Sequence, residues 1–179
     1  MNKLALLTSV LILSIGVSVW ATEKCEPRVP HAGGDLTPTE AYKMLTADPR
    51  HTFLIDVRTR PEYEFVGHPT RAYNIPYMFW TSEGMKINPD FVKDVAKKFK
   101  KTGKLLIICR SGKRSCFACD LLVQAGFKNV SNVLSGFEGD MVKDENSPNY
   151  GHRRRLNGWQ RDNMPWSYEL KKGLVYRGE

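Results

Sequence analysis

The sequence is poor in cysteine, with four among 179 residues. Four cysteines are too few for a disulfide-rich miniprotein, in which covalent links replace a hydrophobic core. Glycine and proline stand near their average use, at 14 and 10 residues, which excludes a collagen-like repeat and a long low-complexity linker. With 41% hydrophobic residues, a chain of this length can bury one ordinary core without a metal or disulfide staple.

Histidine is equally sparse, and the four that occur are scattered along the chain. Metal sites built from His and Cys need these residues at short, characteristic spacings, which His31, His51, His68 and His152 do not show. We therefore predict neither a metal site nor a cofactor.

A long hydrophobic run occurs only at the start of the chain. Lys3 precedes an apolar run over residues 4–19, and Val19 and Ala21 occupy the positions that a signal peptidase reads. We interpret residues 1–21 as a signal peptide and residues 22–36 as an N-terminal arm. The alternative, an uncleaved membrane anchor, is less favoured because the run is short for a span and carries serine and threonine. The sequence thus predicts a periplasmic or secreted protein with no membrane association after cleavage.

Acidic residues are nearly missing from one stretch of the chain. Residues 93–114 contain nine Lys and Arg but only one acidic residue, Asp94. The net charge of this segment therefore equals the net charge of the whole chain, +8. A nucleic-acid partner is not predicted, because only Phe99 is interleaved with these charges and an exported protein meets little nucleic acid. Residues 93–101 are interpreted as the solvated face of a helix.

Helical and extended patterns alternate along the rest of the sequence. Thr37, Pro38 and Glu40 give the signature of a capped helix start, and the apolar run at residues 104–108 is typical of a fully buried strand. Helices are predicted at about 38–47, 88–101 and 115–125, helical turns at 61–65 and after Gly136, and strands at 51–57, 72–75, 104–108 and 129–134. This order predicts an α/β fold with a mostly parallel central sheet and helices on both faces.

The most reactive side chain stands where ligands bind in such sheets, beyond the carboxyl end of a strand. Cys109 directly follows the buried strand, and residues 109–115 form a loop that leads into a helix. The backbone N–H groups of this loop can converge on one point at the positive end of the helix dipole, where Arg110, Lys113 and Arg114 add charge. Such surroundings favour the thiolate form of Cys109, which is a nucleophile. A structural cysteine, the alternative, would have no use for three flanking cations.

The spacing of Cys109 and Arg114, with four residues between them and Ser115 next, resembles the active-site loop of rhodanese-type sulfurtransferases. Three more elements of that pattern occur in the expected order, namely Asp56-Val57-Arg58, Gly67-His68 with residues 72–76, and residues 136–139. The resemblance implies a rhodanese-like three-layer fold over residues 37–140. Residues 141–179 form a C-terminal extension whose tryptophans, Trp159 and Trp166, predict that it packs on the domain, with a partner surface as the alternative. The signal peptide and the tail with its tryptophans make the chain look like the periplasmic single-domain members.

The resemblance also implies a mechanism. The Cys109 thiolate would attack the outer sulfur of a donor such as thiosulfate, release sulfite and hold the sulfur as a persulfide. A thiol or cyanide would then take the sulfur in a ping-pong cycle. Phosphatases with a similar loop have one more residue between cysteine and arginine, so the shorter loop favours sulfur transfer over phosphate chemistry. The residues implied to bind the donor are Arg110, Ser111, Gly112, Lys113, Arg114 and Ser115.

Asp56 and Arg58 are predicted to support the site, because expulsion of sulfite requires no strong base. At the end of its strand, Asp56 could accept hydrogen bonds from loop N–H groups, or it could be a plain turn residue. Arg58 could support the loop in turn, or face solvent.

Two other functions stay open. The protein could be a persulfide carrier, in which Cys109 accepts a persulfide from a dedicated partner and passes it on, with the basic residues 93–104 as the candidate docking surface. A protein sulfur acceptor is a further possible partner. Less favoured, Cys109, Cys116 and Cys119 could form a thiol redox device, although Cys116 and Cys119 are more simply explained as packing residues. No partner is assigned to Cys25, and no oligomeric state is predicted.

Overall fold

The computed structural model describes residues 29–178. The predicted signal peptide at residues 1–21 and Cys25 lie outside this range. In the part of the chain that is described, no helix is long and apolar enough to cross a membrane. The strands are β1 (Asp35–Leu36), β2 (Thr52–Asp56), β3 (His68–Pro69), β4 (Ala72–Asn74), β5 (Met78–Thr81), β6 (Gly84–Ile87), β7 (Lys104–Ile108), β8 (Asn129–Val133) and β9 (Trp166–Ser167). The helices are α1 (Pro38–Ala47), α2 (Arg60–Phe65), α3 (Phe91–Lys98) and α4 (Lys113–Gln124).

Five parallel strands form the central sheet in the order β1-β8-β7-β2-β4. The predicted α/β fold with a mostly parallel sheet is therefore confirmed. Asp56 at the end of β2 lies in register with Ile108 at the end of β7 and with Asn74 at the end of β4. The residues that follow these strands consequently meet at one edge of the sheet.

The alternation of side chains along β7 divides the core into two layers. Leu105 and Ile107 face α3 and α4 and belong to a core cluster that includes Val95 and Leu122. Leu106 and Ile108 point to the opposite face, where their cluster includes residues of α1 and α2 such as Leu45 and Tyr63. Because β7 is buried on both faces, its sequence is a continuous apolar run.

Two predicted helical segments differ from the structure. Helix α3 begins three residues later than predicted, because the Asn88 side chain is used in the preceding turn, where it donates to Pro76 O and accepts from Asp90 N. No helical turn follows Gly136 in the described chain. Ser135 and Gly136 have φ values of 59° and 57°, which a right-handed helix excludes, and residues 134–138 form a chain of tight turns.

A hairpin occupies residues 78–87, for which the sequence analysis proposed no element. Strands β5 and β6 pair only with each other in an antiparallel two-stranded sheet among the described residues. Trp80 lies opposite Met85, and Met78 lies opposite Ile87. Cross-strand partners share a face, so these four apolar side chains stand on one side of the hairpin.

The C-terminal segment packs along the domain. Strand β9 pairs antiparallel with β3, and Leu174 O accepts a hydrogen bond of 2.7 Å from Asn74 N at the edge of the central sheet. Trp159 is buried, and its Nε1 donates to Pro165 O at 2.9 Å. The tail thus covers the β4 edge of the sheet.

Candidate active site

Cys109 lies at the edge where the strands end, and it is only 1% exposed. The turn after β8 holds the loop that follows it. Phe137 N donates to Cys109 O at 2.8 Å, and Glu138 N donates to Arg110 O at 2.9 Å. Gly136 makes this approach possible, since a Cβ on Gly136 would lie 2.4 Å from Cys109 O. The loop is therefore clamped by backbone contacts from a segment nearly thirty residues away.

Two hydrogen-bond donors reach the Cys109 sulfur. Gly112 N lies 3.1 Å from Sγ and donates to it, and Ser115 Oγ lies 3.3 Å from Sγ. Gly112 has φ 93°, a left-handed conformation that glycine adopts without strain, and it directly precedes α4. A backbone amide at the start of α4 and a hydroxyl in its first turn are thus both placed to stabilise negative charge on sulfur.

Ser115 is oriented by a polar chain that the sequence analysis missed. Its Oγ lies 2.7 Å from Asn132 Oδ1, and Asn132 Nδ2 donates to Asp35 Oδ1 at 3.1 Å. A hydroxyl has one proton, so Asn132 Oδ1, Gly112 O at 3.0 Å and Cys109 Sγ compete for it. A negatively charged sulfur is the stronger acceptor and would draw that proton toward itself. An asparagine inside a buried strand is the only sequence signal for this arrangement.

Arg114 is held by Glu62, another residue that the sequence analysis did not select. Its Nη1 and Nη2 donate to the two carboxylate oxygens at 2.8 and 2.6 Å. The same carboxylate accepts hydrogen bonds from Thr59 N and Oγ1, which cap α2. Burial raises the pKa of Glu62, but the charge and hydrogen bonds of Arg114 and the bonds from Thr59 outweigh it and lower that pKa to about 2. The carboxylate is therefore ionised at neutral pH and fixes the Arg114 guanidinium.

A cavity of about 370 Å³ opens over the reactive cysteine. Its polar lining comes from Cys109 and the loop, and its apolar lining comes from the β5–β6 hairpin. The lining residues are Glu62, Met78, Trp80, Met85, Cys109, Arg110, Ser111, Lys113 and Arg114. Gly112 and Ser115 contact the sulfur instead. The structure thus brings together all seven residues from 109 to 115 that were predicted to act on the substrate.

Asp56 and Arg58 lie beneath the site and do not line the cavity. Both are 0% exposed, and the Arg58 guanidinium donates to Asp56 Oδ2 at 2.6 Å and to Gly67 O at 2.7 Å. Asp56 Oδ1 also accepts from Arg58 N at 3.0 Å. The loop N–H that donates to the Asp56 carboxylate is thus that of Arg58, just after β2, and among the described residues its other side-chain hydrogen bonds come from the Arg58 guanidinium and not from residues 109–115. The alternative of a solvent-facing Arg58 is wrong.

Arg58 connects this buried pair to the turn that clamps the loop. Its guanidinium carbon lies 4.3 Å from the centre of the Phe137 ring, and its Nη1 lies 4.0 Å from Glu138 Oε1. Phe137 and Glu138 are the residues whose amides hold Cys109 and Arg110. The support that Asp56 provides is therefore indirect and passes through Arg58.

The other described cysteines do not form a pair with Cys109. Cys109 and Cys119 are free, whereas Cys116 is disulfide-bonded, so Cys116 is joined to neither of them. The packing interpretation suits Cys119, which is fully buried in the core, but it did not anticipate the disulfide of Cys116. Burial raises the pKa of the Cys119 thiol well above its usual value, which keeps it protonated and unreactive.

His68 has a structural environment. Its ring stacks on Tyr63 with 3.8 Å between ring centres, and burial lowers the pKa of His68 and favours the neutral ring. Within residues 29–178, no group of three His, Cys, Asp or Glu side chains is placed to hold a metal ion.

Comparison with known proteins identifies the family to which this fold belongs. The rhodanese-like domain family matches residues 37–141, which is more than half of the chain. The protein therefore belongs to the rhodanese-like domain family. The crystal structure of Rv0390 from M. tuberculosis is similar to this fold, with a TM-score of 0.64 and 31% sequence identity, over 76% of this chain and 98% of that one.

Curated relatives include a sulfurtransferase. Thiosulfate sulfurtransferase 16 of Arabidopsis thaliana is 37% identical over 112 residues, which is 63% of this chain and 88% of the relative. The senescence-associated protein DIN1 of Raphanus sativus is 42% identical over 97 residues, 54% of this chain. The match spans only 51% of the length of that second relative. At the level of the family, these relationships connect the chain to sulfur transfer.

Proposed function

We propose that this protein is an enzyme that moves a sulfane sulfur from thiosulfate, or a related donor, to a thiophilic acceptor through a persulfide on Cys109. The observation that carries the proposal is the placement of Cys109 Sγ. The sulfur accepts a hydrogen bond from Gly112 N, lies near Ser115 Oγ and borders a cavity lined by three cations. These are the groups that a sulfur nucleophile and an anionic donor require.

In the first half of the reaction, the Cys109 thiolate attacks the outer sulfur of thiosulfate. A bond forms between Sγ and that sulfur, the sulfur–sulfur bond of thiosulfate breaks, and sulfite leaves with the electron pair. Arg110, Lys113 and Arg114 attract the doubly charged donor, and Gly112 N and Ser115 Oγ stabilise the persulfide anion. In the second half, the acceptor attacks the outer persulfide sulfur and releases the Cys109 thiolate.

The carrier alternative differs in where the sulfur comes from. A strict carrier needs a docking surface, and residues 93–104 were the candidate for one. None of those residues lines the cavity over Cys109. Lys93 instead pairs with Asp90 at 3.4 Å, as expected for a solvated helix face. A cavity of a few hundred cubic ångströms is typical of small-molecule sites and favours turnover on a small donor.

Thiol redox chemistry is a weaker alternative. It needs a resolving thiol close to Cys109, but Cys116 is already disulfide-bonded and Cys119 is buried with a raised pKa.

We also propose that the protein acts after export, in the periplasm or outside the cell, because of the apolar run at residues 4–19 and the cleavage pattern that ends at Ala21. Mass analysis of protein recovered from the exported fraction tests that placement, because the mass shows whether residues 1–21 have been removed.

Intact mass after treatment with thiosulfate tests the chemistry. We expect wild-type protein to gain one sulfur atom and to release sulfite and then thiocyanate when cyanide is added. Cys109→Ser should gain no sulfur, whereas Cys119→Ala, which removes a free thiol outside the cavity, should still gain it. Sulfur gain without turnover would favour the carrier, and no gain in wild-type protein would contradict the proposed enzyme.

A further inference from the structure

The cavity over Cys109 has an apolar portion that thiosulfate does not use. Met78, Trp80 and Met85 of the β5–β6 hairpin contribute to its lining beside the cationic loop. Thiosulfate is a small dianion without an apolar part, so cations and N–H groups satisfy it completely. The apolar lining therefore points to a second kind of ligand at the same site.

The hairpin keeps two of these side chains exposed, which is costly for large hydrophobic residues, while Met78 also packs against the core. Trp80 is 70% exposed and Met85 is 40% exposed. Because they are cross-strand partners, they form one contiguous surface on the same face of the hairpin. An exposed apolar surface at the rim of a reactive site is typical of a surface that a ligand covers.

The opposite face of the hairpin is anchored, which fixes the direction in which Trp80 and Met85 point. The Phe79 ring lies 6.0 Å from the ring of Tyr176 in the C-terminal segment. At the base, Asn88 N donates to Tyr77 O at 2.9 Å, and Asn88 Nδ2 donates to Pro76 O at 2.9 Å. The apolar surface is thus built into the fold and does not depend on the ligand for its position.

We propose that Trp80 and Met85 determine acceptor specificity by binding the apolar body of a small organic thiol that takes the sulfur from Cys109. This inference rests on the proposed function, because it concerns the second half of the same cycle. A cavity of about 370 Å³ accommodates a small molecule whose thiol reaches the persulfide while its body lies against the indole of Trp80.

The transfer step is balanced without a further reactant. The acceptor thiol sulfur forms a bond with the outer sulfur of the Cys109 persulfide, and the bond between that sulfur and Sγ breaks. The electron pair of the broken bond stays on Sγ, so the Cys109 thiolate is regenerated. The proton of the acceptor thiol remains on the organic persulfide that leaves.

Two primary alkyl thiols that differ only in their body test this specificity. Cys109 is first loaded with sulfur and the persulfide is verified by mass. Single-turnover discharge is then measured with 2-phenylethanethiol and with 2-mercaptoethanol, and discharge by cyanide gives an internal reference for each variant. We expect wild-type protein to prefer the phenyl thiol by about tenfold, the effect of covering part of a phenyl ring with apolar surface.

The variants separate a binding surface from a general structural effect. Trp80→Ala and Met85→Ala should each lower the ratio of the two discharge rates by at least about threefold, and Trp80→Phe should retain most of it. Ile87→Ala is the matched control, since Ile87 is 58% exposed on the same hairpin face but does not line the cavity. An unchanged ratio in Trp80→Ala and Met85→Ala, or an equal loss in Ile87→Ala, would overturn the proposal.

Loading Cys109 with sulfur from either of two donors separates a failure of this proposal from a failure of the proposed function. If thiosulfate adds no sulfur to Cys109 but inorganic polysulfide does, the thiosulfate reaction is wrong, and the acceptor ratio is measured on the polysulfide-loaded protein. If neither donor adds sulfur, no persulfide exists for an acceptor to attack, and both proposals are wrong.

Discussion

Glu62 lies outside the active-site loop, but it holds the positive charge of Arg114 in place inside that loop. Arg114 is partly buried in the lining of the cavity, and it donates two hydrogen bonds of 2.8 and 2.6 Å to the Glu62 carboxylate. A guanidinium held in this way keeps its charge and position when a dianion arrives. Burial would lower the pKa of Arg114, but its hydrogen bonds with Glu62 and the charge of that carboxylate raise it overall.

Substitution of Glu62 should change how stability depends on pH. The pKa of Glu62 lies near 2 in the folded protein and near 4.5 when unperturbed, so its stabilising contribution is complete above about pH 5 and is lost as pH falls toward 2. We predict that Glu62→Gln lowers the free energy of unfolding by about 2–3 kcal/mol at pH 7. The difference from wild type should shrink as the solution is acidified. Urea unfolding at several pH values measures it.

The matched control for this prediction lies on the same helix. Glu64 pairs with Arg60 at 2.6 Å, but Arg60 is about half exposed, so Glu64→Gln should cost less than about 1 kcal/mol. A gap between wild type and Glu62→Gln that stayed constant from pH 7 to about pH 2 would contradict the titration of this carboxylate.

Residues of the site that are close in sequence could be predicted, and residues that reach it from elsewhere could not. Cys109, Gly112, Arg114 and Ser115 belong to one loop whose spacing indicates their common site. Glu62, in contrast, looks like an ordinary capping residue of a short helix, which it also is. Its contact with Arg114 spans 52 residues, and local patterns carry no information about such a separation.

At the scale of elements, the active-site loop depends on the turn that follows β8. That turn supplies the amides of Phe137 and Glu138 to the loop, and Gly136 lets the two backbones approach. The buried Asp56–Arg58 pair supports the turn from behind through Phe137. The loop, the turn and the end of β2 are therefore joined by direct contacts into one packed unit, which is what a preorganised anion site needs.

Gly136→Ala tests this unit. The new Cβ would lie 2.4 Å from Cys109 O and 2.7 Å from Ser111 N, and alanine would also be strained at φ 57°. We predict a loss of about 2–4 kcal/mol in the free energy of unfolding and a rate of persulfide formation lowered at least about tenfold.

Gly151→Ala provides the comparison for Gly136→Ala. Gly151 has φ 75°, but a Cβ there would meet no atom of the described chain within 4 Å. Its substitution should therefore cost only the backbone strain, about 1 kcal/mol, and leave the rate of persulfide formation unaltered. Equal losses of rate in the two variants would show that the loop does not depend on contact with Gly136.

The elements themselves were predictable to different degrees, for physical reasons. β7 is buried on both faces and α1 carries a capping box, so each has a strong local signal. The β5–β6 hairpin has mostly half-buried side chains in β5 and exposed ones in β6, and it pairs with no strand of the described central sheet. The sequence of β5 therefore lacks the alternation of apolar and polar residues that marks a strand with one buried face. The role proposed for the hairpin rests on its position over Cys109, which only the folded structure shows.

At the scale of the whole molecule, the C-terminal segment connects the sheet edge to the rim of the active site. It pairs with β3, bonds to Asn74 at the end of β4, and then brings Tyr176 against the back of the β5–β6 hairpin. Tyr176 Oη donates to Asp94 Oδ2 at 2.9 Å, which ties the tail to α3 as well. Burial and this hydrogen bond raise the pKa of Tyr176, so the phenol stays protonated and the bond persists at neutral pH.

Tyr176 should therefore influence acceptor choice although it lies behind the hairpin. We predict that Tyr176→Ala lowers the free energy of unfolding by about 1–2 kcal/mol, through loss of the ring contact and the hydrogen bond. The preference for 2-phenylethanethiol over 2-mercaptoethanol should fall with it, because the hairpin that carries Trp80 loses its rear support. Tyr176→Phe keeps the ring against Phe79 and should keep the preference while losing only the hydrogen bond to Asp94.

Tyr168→Ala separates the support of the hairpin from a general loosening of the tail. Tyr168 lies in the same C-terminal segment and is 56% exposed, and its ring contacts Trp166 rather than the hairpin. Its removal should leave the thiol preference at the wild-type value. If Tyr176→Ala kept the full preference, or if Tyr168→Ala lost as much, the position of Trp80 would not depend on Tyr176. The hairpin would then be held by its other contacts, which include the packing of Met78 against the core and the hydrogen bond of 2.9 Å from the Asn88 side-chain amide to Pro76 O.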